Sequence, residues 1–203
     1  MNLNEYQKLA MRTSPDGHDR VRNGCLGLIG ESGEIVDVIK KWMFQSVKET
    51  PLPVEKLIDE MGDVLWYCAE TATGMRESLR LLAGELETNH WHHACRMLDL
   101  EQTVTSMSSC ANSAYNAYYV AINPNGAVDN LCGVLALLMH LCDMVDTSIE
   151  IVAENNIAKL KKRYPDGFDP ERSMNRPEYT TLPHKEQAES VSGSLLDERS
   201  KPV

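Results

Sequence analysis

Gly27-Leu28-Ile29-Gly30-Glu31-Ser32-Gly33-Glu34-Ile35-Val36-Asp37 is the stretch on which the reading of this chain turns. Leu28, Ile35, Ile39 and Trp42 recur at helical spacing, and Glu31 and Glu34 lie three residues apart at the edge of that apolar stripe. At roughly 100° per residue such a pair shares one face and can share one ion. A second segment, Glu60-Met61-Gly62-Asp63, repeats the arrangement. There Leu57, Met61, Val64, Leu65 and Cys68 make the apolar stripe, and Glu60, Asp63 and Tyr67 run beside it. When the two helices pack by their apolar faces, the four carboxylates converge on one rim of the interface.

Four clustered negative charges are costly unless protonated or neutralised by cations. Hard oxygen ligands favour Mg²⁺, with Mn²⁺ as a substitute, over zinc or copper. Di-iron bundles use a Glu-x-x-His pair, and neither acidic pair here contains histidine. Acid pairs at this spacing also occur on solvated helix faces; two matching pairs with glycines interleaved favour metal. Gly27, Gly30, Gly33 and Gly62 each cost ~1 kcal/mol against alanine in a helix. Close helix packing and room for metal and phosphate are both sufficient reasons for them.

Outward from these segments, nearly every long stretch has helical period, and no strand-like alternation persists. The pattern predicts a helix from Leu3 to Arg12, a second from Val21 to Phe44, and a third from Pro53 to Thr73 that ends by Gly74. A last helix runs from Ser148 to Tyr164 and is stopped by Pro165-Asp166-Gly167. Residues 75–147 form a helical insertion broken at Asn123-Pro124-Asn125-Gly126. The fold class is therefore all-α: a helical bundle in one domain, residues 1–176, followed by a polar, mobile tail, residues 177–203. Leu131–Leu135 faintly echoes Glu60–Leu65 but lacks its acids.

On the last helix Asn156, Lys159 and Arg163 share a face, and Tyr164 follows; we take all four as substrate-binding candidates. Lys and Arg are the natural partners of phosphate oxygens. The run Lys161-Lys162-Arg163 also suits a helix C-terminus through the dipole alone. Lys41, two turns beyond Glu34, admits the same two readings.

The 203 residues carry a net charge of −10. That balance argues against nucleic-acid wrapping, which is met with Lys and Arg, but leaves a metal-neutralised nucleotide open. The six cysteines contain no C-x-x-C pair and read as reduced, buried thiols of a cytoplasmic protein. No signal peptide opens the chain, and the apolar stretch Val134–Cys142 is too short to span a bilayer. His90, His92 and His93 lack the spacing that places two ligands on one helical face.

Glu31-x-x-Glu34, then Glu60-x-x-Asp63, then Asn156 through Phe168 resembles the MazG-like branch of the all-α nucleoside triphosphate pyrophosphohydrolases. The likeness covers residues 1–74 and 148–176. It implies hydrolysis of an NTP or dNTP to a monophosphate and pyrophosphate, with Mg²⁺ on Glu31, Glu34, Glu60 and Asp63. It also implies phosphate contacts from Asn156, Lys159 and Arg163, a nucleotide pocket lined by Tyr67, and a homodimer or homotetramer with sites completed between subunits. Glu31 and Glu34 are the catalytic candidates for general base. Residues 75–147 depart from the compact family pattern. Two other functions stay open: a non-catalytic helical interaction protein, and a hydrolase of another nucleotide phosphoanhydride.

Overall fold

The computed structural model describes residues 1–85 and 90–174, apart from the side chains of Glu85, His90, His92, His93 and Met174. The tail from residue 177 and those three histidine side chains therefore lie outside the described residues. Among the described residues every regular element is helical.

The first helix, α1 (Leu3–Ala10), is capped by Asn2, whose side chain accepts from the Glu5 N–H at 3.0 Å. It buries Leu3, Tyr6 and Ala10, one stripe of its surface, and tightens into a short turn at Met11–Thr13. The long helix α2 (Arg20–Gln45) starts at Asp19, which accepts from the Arg22 N–H. Its partner α3 (Val54–Met75) returns antiparallel to it: Gly24 abuts Thr71, Gly27 abuts Tyr67, and Gly74 abuts Val21.

Two boundaries differ from expectation. Pro53 precedes the first residue of α3 instead of opening it. Gly74 lies inside the helix because a Cβ there would stand 2.8 Å from the Val21 backbone nitrogen. The left-handed position that terminates α3 is taken by Arg76, at φ 64°.

The insertion contains α4 (Leu79–Glu85), α5 (His90–Cys95), α6 (Leu100–Tyr115) and α7 (Pro124–Met144). A capping box of Asp99 and Gln102 opens α6, and a π-turn at Asn116–Val120 closes it. Asn123 caps α7, with Pro124 in its first turn. The hairpin α6–α7 packs on the hairpin α2–α3, α6 against α2 and α7 against α3. One chain thereby assembles a four-helix bundle, and its own insertion covers the apolar faces of α2 and α3. By length and composition α7 would suit a bilayer, but 61% of its apolar window is buried inside the bundle.

The last long helix, α8 (Ile149–Arg163), begins at Ser148 and packs on α3 and α1. These elements lie in one compact unit, Met1–Phe168; α9 (Pro170–Met174) follows outside it. All six cysteines are buried and lie outside any disulfide.

Candidate metal centre

The helical period sets which side chains reach the open edge of the α2–α3 pair. Ser32, Ile35 and Leu28 point inward, which leaves Glu31 half-buried at the rim and Glu34 exposed one turn further along. On α3, buried Met61, Val64 and Leu65 leave Glu60 and Asp63 half-buried at the same rim. Oxygens of Glu31, Glu60 and Asp63 lie within 4.8 Å of one another. Three of the four expected acids thus meet. Glu34 flanks the triad, close enough for its charge to act on Glu31 and Glu60.

The electrostatics of the rim are those of an under-neutralised site. Burial, then the charges of Asp63 and Glu60, push the Glu31 carboxyl up to about 7. Burial and then Asp63 raise Glu60 as well. The nearest counter-charge is Lys159 of α8, whose Nζ donates to Asp63 Oδ2 and to Asp59 Oδ1, each at 2.8 Å. Burial opposes the Lys159 ammonium, but the two aspartates more than offset it and its pKa is raised.

This donor set fits a hard divalent ion. It is all carboxylate oxygen, it is partly desolvated, and its own repulsion raises the cost of ionising Glu31. Oxygens on opposite sides of one Mg²⁺ stand about 4.2 Å apart, so small side-chain rotations close the spread seen here.

The other candidates divide. Asn156 is buried; its Nδ2 donates to Asp63 Oδ1 at 3.2 Å and its Oδ1 accepts from the Tyr6 hydroxyl at 2.8 Å. Tyr67, one turn after Asp63, fills the hollow left by Gly27 and meets Trp66 edge-on at 4.8 Å. Arg163 is half-buried, one turn beyond Lys159, with no ion pair among the described residues. Lys41 is drawn to Asp37 at 2.5 Å rather than to the triad. Tyr164 is a core residue, 6% exposed and packed near Phe168. It caps the end of α8 with non-helical backbone, its N–H donating to the Leu160 carbonyl at 2.7 Å.

The glycines separate too. Gly27 and Gly62 are packing sites: a Cβ on Gly62 would stand 3.0 Å from the Asn156 Cβ. Around Gly30 and Gly33 there is open space.

Sequence reasoning passed over several residues. Asp59 shares Lys159 with Asp63. Glu70, two turns after Asp63, is wholly buried; it accepts from Ser14 Oγ at 2.9 Å, meets His18 Nε2 at 2.6 Å and lies 3.9 Å from Arg20. That cluster pins the connection between α1 and α2 to α3. The seven-residue step from Asp63 to Glu70 was the available signal, but its partners sit in a loop with no periodicity.

No curated protein and no solved structure matches the chain. Residues 22–85 match the model of the MazG nucleotide pyrophosphohydrolase domain, a span that holds all four rim carboxylates and Tyr67. That matching segment, α2 from Arg22 onward with α3 and α4, is set within an all-α bundle.

Proposed function

We propose that this protein hydrolyses a nucleoside triphosphate, NTP or dNTP, to the monophosphate and pyrophosphate in a Mg²⁺-dependent reaction. The single observation that carries the reading is the triad of Glu31, Glu60 and Asp63 at the rim of a MazG-matching segment. These three residues would hold the ion, with Glu34 completing its surroundings. Bound there, Mg²⁺ supplies charge neutralisation for the phosphate oxygens and lowers the pKa of water.

The chain's own groups do the rest. Lys159 stands at the edge of the triad, and Arg163 extends the same face; the two ammonium and guanidinium charges bind and orient the phosphate chain. In the transition state they stabilise charge gathering on the pyrophosphate leaving group. Water attacks the α-phosphorus, the bond to the bridging oxygen breaks, and pyrophosphate departs. Glu34 takes the proton of that water; its exposure and its place outside the triad support it over Glu31 in this role. Tyr67, half-buried beside Gly27, offers an aromatic wall to the nucleoside. Lys41 and Tyr164, committed to Asp37 and to the core, have no part in the proposed site.

Incubation with a panel of NTPs and dNTPs, with Mg²⁺ or EDTA, followed by separation of products, tests this. Monophosphate with pyrophosphate, abolished by EDTA and by Glu34→Gln, is the expected result. Diphosphate with inorganic phosphate would sink the proposed bond cleavage, and no turnover of any nucleotide would sink the enzyme reading.

A further inference from the structure

We propose that Tyr6, on the first helix, is a positioning residue for Asp63 and acts through the side-chain amide of Asn156. This rests on the reading of Asp63 as a metal ligand.

The three side chains form a line across three helices. The Tyr6 hydroxyl of α1 donates to Asn156 Oδ1 at 2.8 Å, and Asn156 Nδ2 of α8 donates to Asp63 Oδ1 at 3.2 Å. Lys159, one turn along α8, donates to the other oxygen of the same carboxylate. Asp63 is therefore gripped on both oxygens by α8, by an amide on one and an ammonium on the other. Among the described residues its neighbours in the triad, Glu31 and Glu60, have no such donor pair.

An amide is asymmetric, and only one of its two orientations serves a carboxylate. An ionised Asp63 accepts and never donates, so a flipped Asn156 would set carbonyl oxygen against carboxylate oxygen. Tyr6 selects against that flip from the far side, because its O–H donates to the carbonyl end. Tyr6 is wholly buried, and burial first, with Cys68 and Asp63 adding, keeps its phenol protonated and therefore a donor. With Tyr6 wholly buried and Asn156 only 3% exposed, the bond between them is shielded from solvent and an unpaired amide oxygen there would be costly.

The backbone is shaped to admit the amide. A Cβ on Gly62 would lie 3.1 Å from Asn156 Nδ2, so the glycine beside Asp63 opens the space the amide occupies. Tyr6 and Asn156 both lie outside residues 22–85, the MazG-matching segment. The helices around that segment thus aim one of its acids. Groups that orient a metal ligand in this way typically change metal affinity 10–100-fold when removed.

The test is a double-mutant cycle of Tyr6→Phe and Asn156→Ala on the full chain, read as Mn²⁺ affinity by electron paramagnetic resonance. Thermal unfolding of each variant fixes a temperature at which all are folded; Tyr6→Phe keeps the ring that fills the core. Tyr6→Phe is expected to weaken Mn²⁺ about ten-fold and Asn156→Ala at least as much. The double variant should bind like Asn156→Ala alone, since the hydroxyl has nothing to act through once the amide is gone. Unchanged Mn²⁺ affinity in Tyr6→Phe, whether or not its stability falls, overturns the relay, as does additivity of the two effects. A wild-type protein that binds no Mn²⁺ overturns the metal reading itself and the relay with it.

Discussion

The hairpins α2–α3 and α6–α7 have the same architecture and opposite chemistry. Both are antiparallel helix pairs, and each supplies half of one bundle. In α2–α3 the apolar stripe stops short of the rim, where Glu31, Glu34, Glu60 and Asp63 take over. In α7 residues 131–138 are buried without interruption, so there is no polar face on which acids could gather. The glycines tell the same story. Gly62 yields its Cβ space to Asn156, which donates to Asp63 of the rim; Gly133 yields its own to Cys110 and to the ring of Trp91, whose Nε1 donates to Asp129, an acid outside the rim. The rim acids thus lie on one half of the bundle, while both halves contribute to one buried core. The second hairpin also covers, within one chain, the apolar faces of α2 and α3.

The sharpest way to break this comparison is to remove one acid from each half. Asp63→Asn should lower turnover by about 10²–10³-fold with the fold retained, because it removes a carboxylate of the proposed metal triad. Asp129→Asn on α7 should leave turnover within about two-fold. A steady-state assay of both variants decides, and equal losses would erase the distinction between the halves. Next in size is Leu135→Ala, at a fully buried position of α7. A loss of about 2–5 kcal/mol in denaturant unfolding is expected, with turnover per folded molecule unchanged.

The paired glycines give a subtler contrast. Gly62→Ala crowds Asn156 and should weaken Mn²⁺ about ten-fold. Gly133→Ala would bring a Cβ within 2.9 Å of Trp91 and should cost about 1–3 kcal/mol in stability while leaving Mn²⁺ affinity alone. The smallest effect concerns pH. Between about 4.5 and 7 the folded, metal-free protein keeps a proton on Glu31 that the unfolded chain has released. Stability in EDTA should therefore fall as pH rises through that window and level off above it. Glu31→Gln removes the penalty, and discounting for solvent screening its Tm in EDTA at pH 8 should rise by roughly 2–4 °C. A fall in Tm would contradict the electrostatic account of the triad.

Much of this arrangement was legible in the sequence, for reasons that can be located. Glu31, Glu60 and Asp63 were visible because each sits at a fixed angle from an apolar stripe on its own helix. Asn156 and Lys159 were visible as a face, but their partners were not. Asp63 lies more than ninety residues away, so what looked like free phosphate ligands proved to be bonded to an acid of the rim. Tyr6 lies on the buried face of α1 with Leu3 and Ala10; its hydroxyl acquires meaning only from α8. Gly74 was misread because close approach of Val21, a tertiary fact, overrides the usual helix-stopping tendency of glycine. The apolar period of α6 and α7 was plain, yet nothing in it named α2 and α3 as the surface it would cover.

The most direct test of the central claim is to run one turnover in ¹⁸O-labelled water with Mg²⁺ and to locate the label by ³¹P nuclear magnetic resonance. Attack at the α-phosphorus places the label in the monophosphate and leaves pyrophosphate unlabelled, which is the predicted result. Label in pyrophosphate or in inorganic phosphate would mean that water reaches a different phosphorus, and would contradict the function assigned to this site.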